Sequence, residues 1–383
     1  MKPVYVDNNA TTRVAPEVFA AMEPYFCEMY GNPSSMHSVG GTVGPKLKAA
    51  RKQVADLIGA QPDEIIFTSC GTESDNTAVH AALTADPAKR HIVTSRVEHP
   101  AIGSLVGSLS KQGYRITEIP VDGDGCLDMK LLEESLTPDT ALTSIMWANN
   151  ETGVIFPVEK IAAMCRQRDI TFHTDAVQAV GKFPINLALS HIDMLSLSGH
   201  KLHAPKGVGA LYVRKGTKFS PFMIGGHQEK GRRAGTENVP GIIALGKACE
   251  LAGANLEKEN TIVKSLRNRL ESELIRLIPE AKVNGTVKAR TPNTSNISFA
   301  NIEGESILLM LNEFGICASS GSACTSGSLE PSHVMRAMGV PFTMAHGSIR
   351  FSLSIYNTED DIERIIKELP PIVKRLRELS PFT

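Results

Sequence analysis

The stretch SSGSACTSGS, Ser319 to Ser328, holds one thiol, that of Cys324, among small residues that bury little. Free cysteine is usually a buried residue, so a thiol in such a setting is out of character. Two readings stand: a Gly/Ser linker with an incidental cysteine, or a nucleophile whose neighbours give it reach. A second reactive group is the amine of Lys201 in SLSGHKLHAPKGVGALYV, set between Gly199 and a Gly/Pro-rich turn after a strand-like run. It is either a solvated surface lysine or an amine placed for a carbonyl compound. A third is Asp175 in FHTDAVQAVGK, at the C-terminal end of a buried strand, where open α/β sheets bind ligands. A carboxylate there costs free energy unless it is paired. It either caps a helix start or faces a cationic ring nitrogen. A lysine Schiff base with an aspartate on the pyridine nitrogen is the protein side of pyridoxal phosphate chemistry.

A phosphate on such a cofactor needs donors. FTSCGTESD supplies Gly71 and Thr72 between a strand and a helix, and backbone N–H groups at a helix start bind anions. The plain alternative makes Thr72 an ordinary N-cap. Ser198 and His200 flank the lysine with a hydroxyl and an imidazole. His99 in VEHPAI is either a ring that stacks on the cofactor or a loop histidine. Asn150 in MWANNETG, and Gln178 one helical turn beyond Asp175, carry amides that suit a ring phenolate oxygen. Arg350 in HGSIRFSLS is a charge embedded in a strand-like run, where a bare cation is out of place. The chain has no Walker motif and no Gly-x-Gly-x-x-Gly before a helix, so a nucleotide is not the obvious ligand.

The elements that must position these groups alternate. EIIFTS reads as a strand and ESDNTAVHAALTA as a helix. RHIVTS is a strand, IGSLVGSLSKQ a helix ended by Gly113, and RITEIPV a strand. ALTSIMWA, ITFHTDA, MLSLSG and GVGALYV are further strands, with the helix VEKIAAMCRQRD among them. Strand, helix, strand in this order predicts a mostly parallel sheet covered by helices. ANLEKENTIVKSLRNRLESELIRLI predicts one long amphipathic helix. Beyond it the pattern turns to mixed strands and helices, such as TSNISFA and IRFSLSI. A boundary near residue 255 gives a large domain over 14–255. Residues 1–13 and 256–383 then form a small domain that carries the Cys324 loop, about 318–330.

Composition narrows the class. The 383 residues are 42% hydrophobic, enough for more than one domain. The 40 Lys and Arg against 41 Asp and Glu leave a net charge of −1 and no basic stripe, so nucleic acid is not an expected partner. Seven cysteines, odd in number, do not make a disulfide framework, and a reducing cytoplasm is the simplest compartment. The start MKPVYVDNNATTRV has no apolar core of the kind a signal peptide carries. No apolar run is long enough for a membrane span.

Taken together the motifs resemble those of the cysteine desulfurases, fold type I pyridoxal phosphate enzymes. The resemblance runs from YVDNNATTRV to IRFSLSIYNTEDDIERII and includes YGNPSSMHS, GRRAGTENVPGI, TPNTSNISF and ASSGSACTSGSLEPSHVMRAMG. NNATT and SGSLEPSHV are closer to the nitrogen-fixation type, NifS, than to the housekeeping type. The implied fold is α/β, with a large domain around a mainly parallel seven-stranded sheet and a small α+β domain. By the resemblance Lys201 carries the cofactor, Asp175 holds the pyridine nitrogen, and Gln178 and Asn150 hold the phenolate oxygen. Gly71, Thr72, Ser198, Gly199 and His200 form the phosphate side, and Thr236 in RRAGT reaches the phosphate of the other subunit of a homodimer. His99 stacks on the ring and serves as acid or base, Lys201 moves a proton at the substrate carbon, and Arg350, with Asn150, takes the substrate carboxylate. Cys70 stands before Gly71 where relatives often carry Gly-Ala.

On this resemblance Cys324 takes sulfur from L-cysteine as a persulfide and releases L-alanine. The sulfur passes to an iron–sulfur scaffold protein of the NifU/IscU kind, and the persulfide of Cys324 is a transient iron–sulfur ligand. Cys317, ending an apolar run, reads as buried structure. A selenocysteine lyase or an aminotransferase of the same fold is the alternative, and only the aminotransferase has no need of Cys324. A protein that holds the cofactor for stability alone is a further reading, against which Lys201 and Cys324 together argue.

Overall fold

The computed structural model describes residues 3–320 and 330–380. Its strands are β1 (Val4–Tyr5), β2 (Ile65–Thr68), β3 (His91–Ser95), β4 (Arg115–Ile119), β5 (Thr140–Ser144), β6 (Thr171–Asp175), β7 (Met194–Ser198), β8 (Gly209–Val213), β9 (Ala281–Val283), β10 (Thr294–Phe299), β11 (Ile316–Cys317) and β12 (Ser348–Ser352). Seven of them form one sheet in the order β2-β8-β7-β6-β5-β3-β4. Within it β8 pairs antiparallel with both neighbours, and the remaining pairs are parallel. This is the mainly parallel seven-stranded α/β architecture that the motifs imply.

Both faces of the sheet are covered. Along β2, Ile66 joins a cluster with Ala78, Ile102 and Leu142, while Ile65 and Phe67 join another with Val54, Ile58 and Leu245. That alternation is the period of two of a strand between two helical layers. The helices Gly71–Ala85 and Pro100–Lys111 lie on the first face, and Gly44–Ile58 and Val239–Ala254 on the second.

A third apolar cluster has its own elements. Val4 and Val6 pack there with Leu270, Leu274, Phe299, Phe351 and Ile365. Its sheet β12-β10-β9 is antiparallel, and β1 runs parallel to β11. The N-terminal residues therefore find their core among residues that follow them by more than 250 positions. The chain then crosses to the large sheet, where Thr12 donates from its backbone to the His200 carbonyl (2.9 Å).

Three local expectations are corrected. The long helix read over 254–278 is not uniform: Glu259–Val263 is a π-helical turn between Leu256–Lys258 and Lys264–Leu277. There Glu259, 4% exposed, pairs with the buried Lys182 at 2.8 Å. Gln178 lies in a turn and not one helical turn beyond Asp175, because Asp175 Oδ1 accepts the Val177 N–H (2.9 Å) and folds the chain back. Cys317 is half-buried, since the two-residue strand β11 sits at a sheet edge with β1 as its partner.

Candidate active site

A cavity of about 400 Å³ opens at the C-terminal ends of the parallel strands. It is lined by residues that leave β2, β3, β5, β6 and β7, together with Asn9 and Ala10 from the N-terminal segment. Of the residues singled out from the sequence, Gly71, Thr72, His99, Asn150, Asp175, Gln178, Ser198, His200, Lys201 and Arg350 line this one cavity. Gly199 is buried beneath it. Thr236 is exposed and does not line it. Cys324 and the loop around it lie outside the described residues.

One end of the cavity suits an anion. The helix Gly71–Ala85 begins at its wall, so its first N–H groups and the positive end of its dipole point there. Cys70 is the N-cap and Thr72 the second helical residue, which removes the reading of Thr72 as a cap. Gly71 is required by space: a Cβ there would lie 2.8 Å from Val177 Cγ2. The hydroxyl of Ser198 is buried with no hydrogen-bond partner among the described residues. An orphaned buried hydroxyl in a cavity wall, beside free helix N–H groups, fits a phosphate.

The other groups converge from different elements. Lys201 Nζ donates to the carbonyls of Asn9 (2.5 Å) and Ala10 (2.7 Å). The Asn9 carbonyl also accepts from Gln178 Nε2 (3.0 Å). His99 is the N-cap of the helix Pro100–Lys111, and its Nδ1 accepts the Ala101 N–H (3.1 Å), so the neutral ring carries its proton on Nε2. Burial lowers the His99 pKa, with Lys201 and His333 adding to the shift and Asp175 opposing it. His200 is lowered to about 4, by burial first and then by Lys201 and Lys206. The imidazoles therefore face the cavity neutral. Burial raises Asp175, against the Val177 N–H and the neighbouring His99 and Lys201. A carboxyl in that position gains most from a further cation, which a pyridinium nitrogen supplies. Pyridoxal phosphate thus fits the cavity on its anion end, its buried carboxylate and its amine.

Arg350 is 3% exposed. Its Nη1 donates to the Asn150 carbonyl (2.9 Å) and its Nη2 to Asp7 Oδ1 (2.7 Å), which fixes the guanidinium plane. Nε has no partner among the described residues. The backbone of Arg350 also exchanges two hydrogen bonds with Ser319 (3.3 and 2.7 Å), so the chain entering the Cys324 segment starts from the strand that carries this arginine.

Sequence reasoning passed over several residues. Asn9 and Ala10 act through backbone carbonyls, which carry no residue-type signal. Asp7 and Asp75 sit in DNN and ESD; only the contact with Arg350 marks Asp7, and only burial marks Asp75. Glu98, next to His99, is fully buried and raised to about 8 by burial, although Ser95 Oγ (2.6 Å) and the Met146 N–H (3.0 Å) donate to it. A raised carboxyl pKa means the folded state holds the proton more tightly than the unfolded chain. Its contribution is present below the ordinary value of 4.5 and is lost as pH rises towards about 8. Glu98→Gln cannot ionise. The native thermal midpoint is therefore expected to fall, relative to the variant, across that window. Parallel midpoint curves would remove Glu98 from this role.

These features have relatives. The Aminotransferase class-V family profile matches residues 4–365, and the chain belongs to that family of pyridoxal phosphate enzymes. Within it, the chain is 60% identical over 382 residues to a cysteine desulfurase of Trichormus azollae, covering 100% of this chain and 96% of that one. It is 58% identical over 383 residues to the cysteine desulfurase NifS of Azotobacter vinelandii, covering 100% and 95%. A solved structure described as a NifS-like protein superposes with a TM-score of 0.92 at 39% identity, over 98% of this chain and 100% of that one.

Proposed function

We infer that the chain is a pyridoxal-phosphate-dependent cysteine desulfurase that converts L-cysteine to L-alanine and supplies sulfur for iron–sulfur cluster assembly. The observation that carries this is a cavity joining a lysine amine, a buried carboxyl, an anion-binding helix start and a carboxylate-seeking arginine, in a chain related along its whole length to cysteine desulfurases. Incubation with cysteine, the cofactor and a thiol reductant that discharges the persulfide is expected to release alanine and sulfide in step. Release of a keto acid instead of alanine would make the chain an aminotransferase.

The roles rest on position in the cavity and, for Thr236 and the homodimer, on the resemblance alone. Gly71, Thr72, Ser198 and His200 hold the phosphate, with Gly199 allowing the close turn beneath it and Thr236 serving the partner subunit of a homodimer. Asp175 faces the ring nitrogen, His99 lies against the ring, and Asn150 and Gln178 stand on the phenolate side. When bound through Lys201, the cofactor acts as an electron sink that makes the substrate's Cβ–S bond breakable. Lys201, displaced by substrate, moves a proton at the substrate carbon. His99 serves as the acid: neutral, with Nδ1 held by the Ala101 N–H, it has its Nε2 proton to give. The Cys324 thiolate attacks the substrate sulfur, forming an S–S bond as the C–S bond breaks. Cys324 keeps the sulfur as a persulfide, and the carbon skeleton takes a proton and leaves as alanine.

A division near residue 255 into a large domain (14–255) and a small one (1–13 and 256–383) is supported by the separate cluster of Val4, Val6 and residues from Val263 onward, although Val334, Met335, Met338 and Ala345 pack with the large-sheet cluster. The scaffold protein that receives the sulfur, its service to nitrogenase and a cytoplasmic setting belong to the same proposal. They rest on the likeness to NifS-type relatives, and no helix among the described residues is long and apolar enough to cross a membrane.

Arg350→Lys tests the carboxylate clamp. A point charge cannot hold Asp7, the Asn150 carbonyl and a substrate carboxylate in one plane. The Michaelis constant for cysteine is expected to rise roughly tenfold, with cofactor affinity little changed. An unchanged Michaelis constant would remove Arg350 from substrate binding.

A further inference from the structure

The cavity holds a second carboxyl that none of the roles above uses. Asp75, on the helix that begins at Gly71, lines the same cavity as Asp175 and is 1% exposed against 6% for Asp175. The two lie within electrostatic range, so both cannot ionise cheaply in so dry a place. Their surroundings differ. Asp175 accepts the Val177 N–H (2.9 Å) and is faced by His99 and Lys201. Asp75 Oδ1 has no hydrogen-bond partner among the described residues. Its nearest basic group is His173 Nε2 at 3.6 Å, too long for a hydrogen bond.

That histidine is already committed. His173 is fully buried, with Nδ1 on Ser144 Oγ (2.9 Å) and Nε2 on Ser196 Oγ (2.9 Å). One ring nitrogen donates and the other accepts, and both bonds go to neutral hydroxyls on the adjacent strands β5 and β7. Burial holds His173 down to about 3, so it gives Asp75 no positive charge. The other groups that face Asp75 are Asp175, Glu98 and Cys70, which all oppose its ionisation, and Ser196, which favours it through a side-chain hydrogen bond. Two neighbouring carboxyls in such unlike surroundings divide the proton between them unequally.

We propose that Asp75 is a positioning residue that keeps its proton and so confines the single negative charge of the pair to Asp175, which presents it to the ring nitrogen of the cofactor. The inference rests on the reading of this cavity as a pyridoxal phosphate site. It explains why a second acid is tolerated there. A neutral carboxyl fills its place in the cavity wall without setting a second anion near a phosphate.

The test compares Asp75→Asn and Asp75→Ala with the native protein. Cofactor affinity is measured by absorbance titration. The protonated-carboxyl stretch of the loaded proteins is recorded by difference infrared spectroscopy at neutral pH. Asparagine copies a protonated aspartate in shape and donor, so Asp75→Asn is expected to bind pyridoxal phosphate within about twofold of native. Alanine leaves its neighbours unpaired, and Asp75→Ala is expected to bind roughly tenfold more weakly. The native-minus-Asn infrared difference is expected to contain a protonated-carboxyl band. If Asp75→Asn loses affinity tenfold or more, or no such band is present, Asp75 is an anion and the proposal is wrong. Equal affinity of all three proteins would also overturn it. Should Asp75→Ala fail to fold, the Asn affinity and the infrared band still decide. A native protein that binds no pyridoxal phosphate at all would sink the reading of the site itself, which is a separate outcome.

Discussion

Cys324→Ala is expected to keep the bound cofactor and lose desulfuration by roughly three orders of magnitude or more. The two halves of that result have different sources. The contacts assigned to the cofactor come from Gly71, Thr72, Asp175, Ser198 and Lys201, all on elements of the large sheet. None of them is assigned to Cys324. Substrate cysteine should therefore enter and react with the cofactor, and then wait, because its sulfur finds no thiolate to accept it. Among the other cysteines, Cys70 lines the cavity, but it precedes the helix start in a fixed turn. Cys317 is held in strand β11 opposite Tyr5. Neither should substitute. The check is alanine and sulfide release, with the absorbance of the cofactor followed alongside. Release near the native rate would return Cys324 to the status of linker.

Lys201→Ala is expected to cost at least as much, and at an earlier point. The two carbonyls on Lys201 Nζ accept only, so they aim the amine into the cavity without competing as donors. The cofactor aldehyde needs that amine in its neutral form. Without it pyridoxal phosphate can still occupy the anion site and face Asp175, but it has no covalent hold on the chain. Borohydride treatment followed by mass spectrometry should add the cofactor mass to the native chain and not to the variant, and turnover should fall by about three orders of magnitude. A variant that still fixes the cofactor and turns over normally would show that another amine does this work.

Much of the fold could be read in the chain because its strands obey a simple rule. Runs such as IIFT and MLSLS are buried on both faces between helical segments, and only a doubly covered sheet provides that setting. Groups at strand ends, such as Asp175, Ser198 and the Gly71 helix start, could be found by the same rule, since ligands collect where parallel strands stop. Other contributions were invisible for physical reasons. Asn9 holds Lys201 through a carbonyl, an atom every residue has, across 192 positions. Asp7 meets Arg350 across 343 positions. Asp75 sits within a helix whose sequence reads as an ordinary polar start. The π-helical turn at Glu259 leaves no periodic mark, because five residues are too few to shift the amphipathic pattern.

On the proposal that Cys324 carries the sulfur, the pairing of Ser319 with Arg350 sets its delivery radius. Residue 320 is anchored next to that pair, and on the far side Ser332 Oγ is held by Glu151 (2.6 Å) while His333 Nε2 contacts the Glu98 carbonyl (2.9 Å). Cys324 is four residues from Ser320, and a fully stretched chain gains at most about 3.5 Å per residue, so its Cα can reach no farther than roughly 14 Å from the anchor, and its sulfur no farther than roughly 17 Å. On that proposal the tether limits how far the sulfur can travel to an acceptor. An acceptor must bring its own thiol inside that sphere, against the mouth of the cavity. Selection among acceptors then becomes a matter of outline: a protein with a recessed thiol is refused however reactive that thiol is, and one with a protruding thiol is served.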